Sequence, residues 1–516
     1  MPISGLWRRL SSNPYFLTFA SGALLVLSFP PFNLHVIAWI ALVPFLYFIA
    51  TVRNEKKRKW GVSYYDVQVS GVLLGGTFYY GTLYWLYNIF GILALVLIAI
   101  MLIFTFLFAF FLNFVLSRWK NTFTLVLYPA MLWTAIEYFK SEGWWLKFSW
   151  MNLGYSQHNS LPILQFASIF GQYGISFLIV LVNSTIVFLI INRANRKLVA
   201  KTLLAALLGL GIVLCFGILS LRKHHEPDIR VGLVQNESSD FSVYEQLTEQ
   251  LPDDVDFVLW PEYAVPEFLE EENDLLDRIQ DLAYYMDSYL ILGAKDRAEI
   301  YSSSIKTQMM TRQGASLEEI DELLKFYNTA FIFSPQGDIV GKYYKTNPIQ
   351  FFTDGVAGQE FPAFETDLGK IGIVICYDAD YSYAARRVVR NGAEMLFIPT
   401  YDSITWSELQ HMQHSAMTSM RAVENGRYIA RATTSGISQI IDPSGRIAGS
   451  IDIGESGVAT GYIERIDGMT FYTRYGFVLP YFCGVASLLV ILYGFFTRRS
   501  TASQNGQPAP LQQAPE

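Results

Sequence analysis

Cysteine is scarce in this chain, with three residues in 516, at positions 215, 376 and 483. Widely separated and odd in number, they exclude a disulfide framework and a thiolate metal site. Histidine is little commoner, with six residues. His224 and His225 are adjacent and His411 and His414 lie three apart, but neither pair has an evident third ligand, so no metal centre is expected. Charge is thin as well: Asp, Glu, Lys and Arg make up 16% of the chain, and the net charge is −7. That sign argues against a nucleic-acid partner, because phosphate binding needs a basic face. The chain is instead 52% hydrophobic and 16% aromatic, the composition of a membrane protein.

Apolar segments long enough to cross a bilayer, about 20 residues each, recur near 14–30, 35–52, 68–89, 91–116, 122–140, 172–192 and 202–221, with one more near 474–496. Basic clusters punctuate them: Arg8 and Arg9, "RNEKKRK" (53–59), "SRWK" (117–120), "NRANRK" (192–197) and "TRR" (497–499). These fall on alternate sides, as the positive-inside rule requires for a cytoplasmic N-terminus. The expected organisation is a membrane domain over 1–222 with seven helices, an extracytoplasmic domain over 225–470, an eighth transmembrane helix at 474–496, and a disordered cytoplasmic tail at 500–516. No small-residue cleavage site follows the first span, so it reads as a retained helix rather than a signal peptide.

Between 225 and 470 the pattern changes. Short β-type runs recur at 229–234, 256–260, 289–294, 328–334, 371–376, 394–399 and 427–433, with helical stretches at 268–286, 381–391 and 408–424. Near-continuous apolar strands alternating with helices predict sheets covered on one face, an α/β domain of about 240 residues that can bury its own core. "SPQGDIVGKYY" (334–344) and "DPSGRIAGS" (442–450) read as hairpins turned at glycine.

Three residues stand at the C-terminal ends of strand-like runs, where α/β domains collect catalytic groups. Glu262 follows "VLWP", Lys345 follows "IVGKYY" and Cys376 follows "IGIVI". Alone, a cysteine in a β-run is usually a small buried hydrophobe. Together the three supply a thiol nucleophile, a base to take its proton and a cation to stabilise an oxyanion.

"WPE", the Lys after "GKYY", and "CYD" followed by "RRVVRNGAEMLFIP" resemble the Glu-Lys-Cys triad of the nitrilase (carbon–nitrogen hydrolase) superfamily. The membrane half narrows the resemblance. "SFPPFNLHVIAWIALVP" (28–44), "GTLYWLY" (81–87), Trp133 to Glu137, "FSWMNLGYSQ" (148–157), "QFASIFGQYGISF" (165–177) with Asn183, and "QHSAMTSMRAVENGRYIARATTSGIS" (413–438) resemble the apolipoprotein N-acyltransferases. The resemblance spans residues 14–496. It implies a polytopic α-helical membrane bundle of about eight helices carrying an αββα sandwich on the periplasmic side of a bacterial inner membrane. It also implies an acyl chain passed from a phospholipid such as phosphatidylethanolamine, through a thioester on Cys376, to the α-amine of a diacylated apolipoprotein. No metal or nucleotide cofactor is implied. Tyr377 keeps the family's tyrosine after the nucleophile, and its backbone N–H is a plausible oxyanion donor.

The sequence departs from that family in three places. After the catalytic Lys the family usually carries a Leu-Val-Pro-Phe-Gly-Glu run, whereas "KTNPIQFFTDG" (345–355) lacks the glutamate and offers Asp354 as the nearest acid. Lys345 and Cys376 are 31 positions apart (345 to 376), closer to the soluble amidases. Asp378 stands where the acyltransferases usually have glutamate. The alternative is therefore a membrane-tethered carbon–nitrogen hydrolase using the same triad. A transporter does not fit, since the spans carry few ionisable groups and no inverted repeat with broken helices.

Overall fold

A computed structural model of the protein describes residues 13–52, 64–223, 225–298 and 326–497. The clusters at Arg8, Arg9 and 53–59 and the tail at 500–516 lie outside them, as does His224.

Among the described residues, the apolar runs between 229 and 463 form two six-stranded sheets. The first has the order β12-β1-β2-β3-β4-β5, from β1 (Ile229–Gln235), β2 (Phe257–Leu259), β3 (Tyr289–Arg297), β4 (Phe326–Phe333), β5 (Ile339–Tyr344) and β12 (Gly457–Ile463). The second has the order β11-β10-β9-β8-β7-β6, from β6 (Ala363–Thr366), β7 (Gly369–Ile373), β8 (Met395–Thr400), β9 (Ile429–Thr433), β10 (Ser438–Ile441) and β11 (Ile447–Ile451). Each sheet has three parallel strands at its centre, β1-β2-β3 and β7-β8-β9, with antiparallel neighbours on either side.

Strand alternation builds the layers. Phe257 and Leu259 of β2 point into the core between the sheets, where Phe257 meets Phe397 of β8 with ring centroids 5.0 Å apart. Val258 and Trp260 point the other way, beneath the helix Asn273–Met286. On the far side of the second sheet, Val374 and Ile398 pack under Ala384, Val388 and Ala422 from the helices Ser382–Arg390 and Glu408–Asn425. The result is the nitrilase-like αββα sandwich. The two expected hairpins join β4 to β5 and β10 to β11.

The N-terminal half is helical. Among the described residues, four helices are long and apolar enough to cross a membrane: Leu93–Leu116, Ala167–Ile191, Arg196–Ser220 and Val478–Phe496. The remaining expected spans fold as shorter or interrupted helices, including Pro14–Leu27, the pieces between His35 and Thr51, and Tyr128–Tyr138 entered through a π-helical stretch. Ala167–Ile191 is the most enclosed of the four and breaks at Gly171, whose φ is 65°. A Cβ there would lie 2.6 Å from the Tyr472 ring. The break lets the catalytic half reach in: the Gln172 amide donates to Glu424 Oε1 at 2.7 Å.

Candidate active site

Glu262 sits just past β2, on chain that crosses the face of β3. That crossing needs glycine beneath it, because a Cβ on Gly293 would lie 2.6 Å from Glu262 Cα. Lys345 leaves the end of β5, its amide donating to Asn328 O of β4 at 2.9 Å. Its ammonium is buried between two carboxylates, 2.7 Å from Glu262 Oε1 and 2.7 Å from Asp354 Oδ2. Asn328 completes the cluster, donating from Nδ2 to Glu262 Oε1 at 2.6 Å and Asp354 Oδ1 at 2.7 Å. Asp354 also accepts from Tyr263 OH at 3.0 Å and from the Ile349 amide at 2.8 Å. The acid expected to stand near the lysine is thus on the lysine itself.

Cys376 occupies the turn after β7 with φ at 46°, a left-handed conformation that costs a non-glycine residue about 1–3 kcal/mol. Its thiol donates to Tyr401 O at 3.7 Å, while the Tyr401 amide donates to Glu262 Oε2 at 2.8 Å. One residue, Tyr401 just past the end of β8, thereby links thiol and carboxylate.

Asp378 holds the turn. Its carboxylate is fully buried and accepts from Tyr343 OH (2.9 Å), Thr346 Oγ1 (2.7 Å) and N (3.3 Å), Asn347 N (2.7 Å) and Nδ2 (2.8 Å), and the Ile375 amide (3.2 Å). It clamps the nucleophile turn to the chain that follows Lys345. Tyr377 faces the other way, its ring 5.1 Å from that of Tyr381.

Burial pushes the Cys376 thiol well above its ordinary range, and Glu262 adds to the push while Lys345 opposes it. The resting nucleophile is a thiol that must lose its proton during attack. Burial also raises the Glu262 carboxyl, with Lys345 pulling it down and Asp354 pushing it up, which makes it a stronger base than a free carboxylate. Burial alone would lower Lys345, but Asp354 and Glu262 outweigh it and keep the side chain an ammonium.

Two cavities flank this constellation. One, a narrow space of about 100 Å³, lies between the membrane half and the catalytic half. Trp85, Phe90, Met101, Leu146, Phe148 and Trp150 form its membrane-side wall, and Cys376 and Tyr377 lie on the opposite wall. The other, of about 1040 Å³, carries much more polar surface and is lined by Glu262, Lys345, Asp354 and Tyr401. Ile349, Phe352 and Trp406 border both.

Asn328, Tyr401 and the carboxylates around His414 were not singled out by sequence, which marked His414 only as a partner of His411. Tyr401 follows "FIPT" at a strand end, the same signal that marked the triad; Asn328 is one polar residue inside an apolar run. His414 lies between Asp402 (Nδ1 to Oδ1, 2.9 Å) and Asp380 (Nε2 to Oδ1, 3.3 Å), with Arg431 on Asp402 at 2.5 Å. Each ring nitrogen of His414 thus faces a carboxylate.

Residues 21–185 match the family model described as the apolipoprotein N-acyltransferase N-terminal domain, and residues 230–467 match carbon–nitrogen hydrolase. The chain is 28% identical to the apolipoprotein N-acyltransferase of Geobacter metallireducens, over 95% of this chain and 96% of that one. It is 23% identical to that of Chlorobaculum tepidum, over 95% and 98%, and 24% identical to that of Haemophilus ducreyi, over 94% and 96%. Among solved structures, a carbon–nitrogen hydrolase from Helicobacter pylori is similar at 18% identity and a TM-score of 0.37, covering 46% of this chain and 89% of that one. An amidase from Nesterenkonia is similar at 15% identity and a TM-score of 0.38, covering 49% and 95%.

Proposed function

The chain belongs to the apolipoprotein N-acyltransferase family, and from that premise we propose that Cys376, Glu262 and Lys345 carry out a two-step acyl transfer between lipids. The supporting observation is where the thiol lies. Cys376 borders an apolar cavity walled by the membrane half, while its base and cation border a larger and more polar one. A hydrolase for small soluble amides has no use for an apolar chamber built from membrane helices. An acyl donor drawn from a bilayer does.

In the first step Cys376 Sγ attacks the sn-1 ester carbonyl of a phosphatidylethanolamine-like phospholipid as Glu262 takes the thiol proton. The oxyanion is held by the Lys345 ammonium and the Tyr377 backbone N–H. Collapse breaks the ester C–O bond, Glu262 returns the proton to the departing oxygen, and a lysophospholipid leaves behind a thioester. In the second step the α-amine of an S-diacylglyceryl-cysteine at a lipoprotein's N-terminus attacks the thioester. Glu262 takes the amine proton, an amide forms, and the thiol is restored. Excluding water from the apolar chamber protects the thioester from hydrolysis between the steps.

The same reading places the protein in a bacterial inner membrane, with 225–470 on the periplasmic side. Seven crossings precede residue 222 and one follows at 474–496, as the alternating basic clusters require. The test incubates purified protein with phosphatidylethanolamine and a synthetic diacylated lipopeptide, read by mass spectrometry. One added acyl chain on the peptide is expected from the unaltered protein and none from Cys376→Ala. Free fatty acid beside unmodified peptide would favour the hydrolase, and full activity in Cys376→Ala would overturn the mechanism.

A further inference from the structure

The apolar cavity has one feature that the two half-reactions leave unused. Three formally charged side chains line it: Lys147, Asp380 and His414. Asp380 and His414 face each other at 3.3 Å, and His414 is also paired with Asp402. Lys147 has no carboxylate within ion-pair distance among the described residues. Its ammonium rests over two rings, 4.8 Å from the centroid of Tyr383 and 5.6 Å from that of Tyr381. Glu142, whose carboxyl Lys147 helps to pull down, accepts from the Ser382 amide at 3.1 Å through Oε1.

The position of Lys147 is fixed from both sides. Its carbonyl accepts from Tyr381 OH at 3.2 Å, and Tyr381 in turn packs on Tyr377, the neighbour of the nucleophile. Across the cavity Gln350 donates to Trp145 O at 3.1 Å, tying this loop to the segment after Lys345. The loop itself, "GWWLKFSW" (143–150), is aromatic-rich with Trp145 74% exposed, the signature of chain at the headgroup level of a bilayer. A half-buried cation held only by ring faces is weakly satisfied, whereas a charge-assisted hydrogen bond to a phosphate oxygen is much stronger.

We propose that Lys147 is the docking point for the phosphate diester of the acyl donor, so that glycerophospholipids are selected over neutral esters. This rests on the acyl-transfer reading and adds the group that recognises the donor. With the acyl chains in the apolar chamber and the phosphate on Lys147, the ester between them is presented to Cys376.

The test compares two donors in acyl-enzyme formation: dipalmitoyl phosphatidylethanolamine, and p-nitrophenyl decanoate, which has no phosphate. Lys147→Ala should raise KM for the phospholipid about tenfold, leave its kcat and the p-nitrophenyl reaction unchanged, and be largely rescued by Lys147→Arg. An equal loss on both donors would make Lys147 merely structural, and an unchanged phospholipid KM would remove it from recognition; either result overturns the inference. If the unaltered protein forms no acyl-enzyme from phosphatidylethanolamine, the acyl-transfer reading fails first.

Discussion

Replacing Asp378 with asparagine tests whether the carboxylate next to the nucleophile is a brace. Six donors converge on its two oxygens, and four of them are N–H groups that cannot reverse their role. Turned one way, the new amide NH2 faces the Thr346 and Ile375 amides. Turned the other way, it faces Asn347 N and Nδ2. In either case two buried N–H donors lose their acceptor, and at about 1–3 kcal/mol for each unsatisfied group the cost is about 3 kcal/mol. For a domain of this size that corresponds to a fall in Tm of about 6–12 °C. Turnover should suffer as well, because the clamp holds the chain leaving Lys345, and displacing a catalytic group by about 1 Å can cost about a hundredfold. Thermal melts of detergent-solubilised Asp378→Asn, run beside the lipopeptide assay, measure both effects. An unshifted melt with full turnover would refute the argument.

Two further outcomes are expected. Lys345→Met removes the ammonium that pulls the Glu262 carboxyl down, so the base is protonated at higher pH than before. The acid limb of the rate of acyl-enzyme formation should move up, alongside a loss of about 10²–10³-fold in rate; a limb that stays put would separate Glu262 from the base role. His414 is buried, which alone would lower it, but Asp402 and then Asp380 raise it to about 9 against the opposing Arg431. A folded-state value above the ordinary 6.5 means stability present in full below about 6.5 and lost as pH rises through about 9, worth about 3 kcal/mol. Denaturation of the unaltered protein at about pH 6 and about pH 10 should show that loss. His414→Gln should flatten it, and an identical pH slope in the variant would contradict the assignment.

The central strands of both sheets were legible because strands buried on both faces are written as continuous apolar runs. The hairpins were legible because Gly337 and Gly445 take φ of 83° and 85°, which their turns require. β12 was not, since its residues are mostly half-buried and carry no apolar alternation. Its place beside β1 comes from pairing across the domain. The triad showed itself through strand ends. Asn328 did not, because what makes it part of the site is register: β4 brings it opposite Lys295 of β3 and within reach of the chain leaving β5. His411 and His414 share one helix, and their spacing suggested only a pair. The partner that matters, Asp402, comes from the loop before that helix. In the membrane half, composition located the apolar stretches but did not reveal that Phe123–Leu127 would be π-helical or that 35–51 would break into pieces.

The contact between Trp150 and Asp380 has a consequence for exchange of the two halves. Trp150 Nε1 donates to Asp380 Oδ2 at 2.5 Å and Ser149 donates to Asp380 O at 2.7 Å, so a loop of the membrane half grips the far end of the nucleophile turn. The two halves match separate family models, as though each were a module that could be exchanged. They are not interchangeable parts. A hybrid that paired this catalytic half with a foreign membrane half would lose both contacts unless that half brought a donor to each of the same two oxygens.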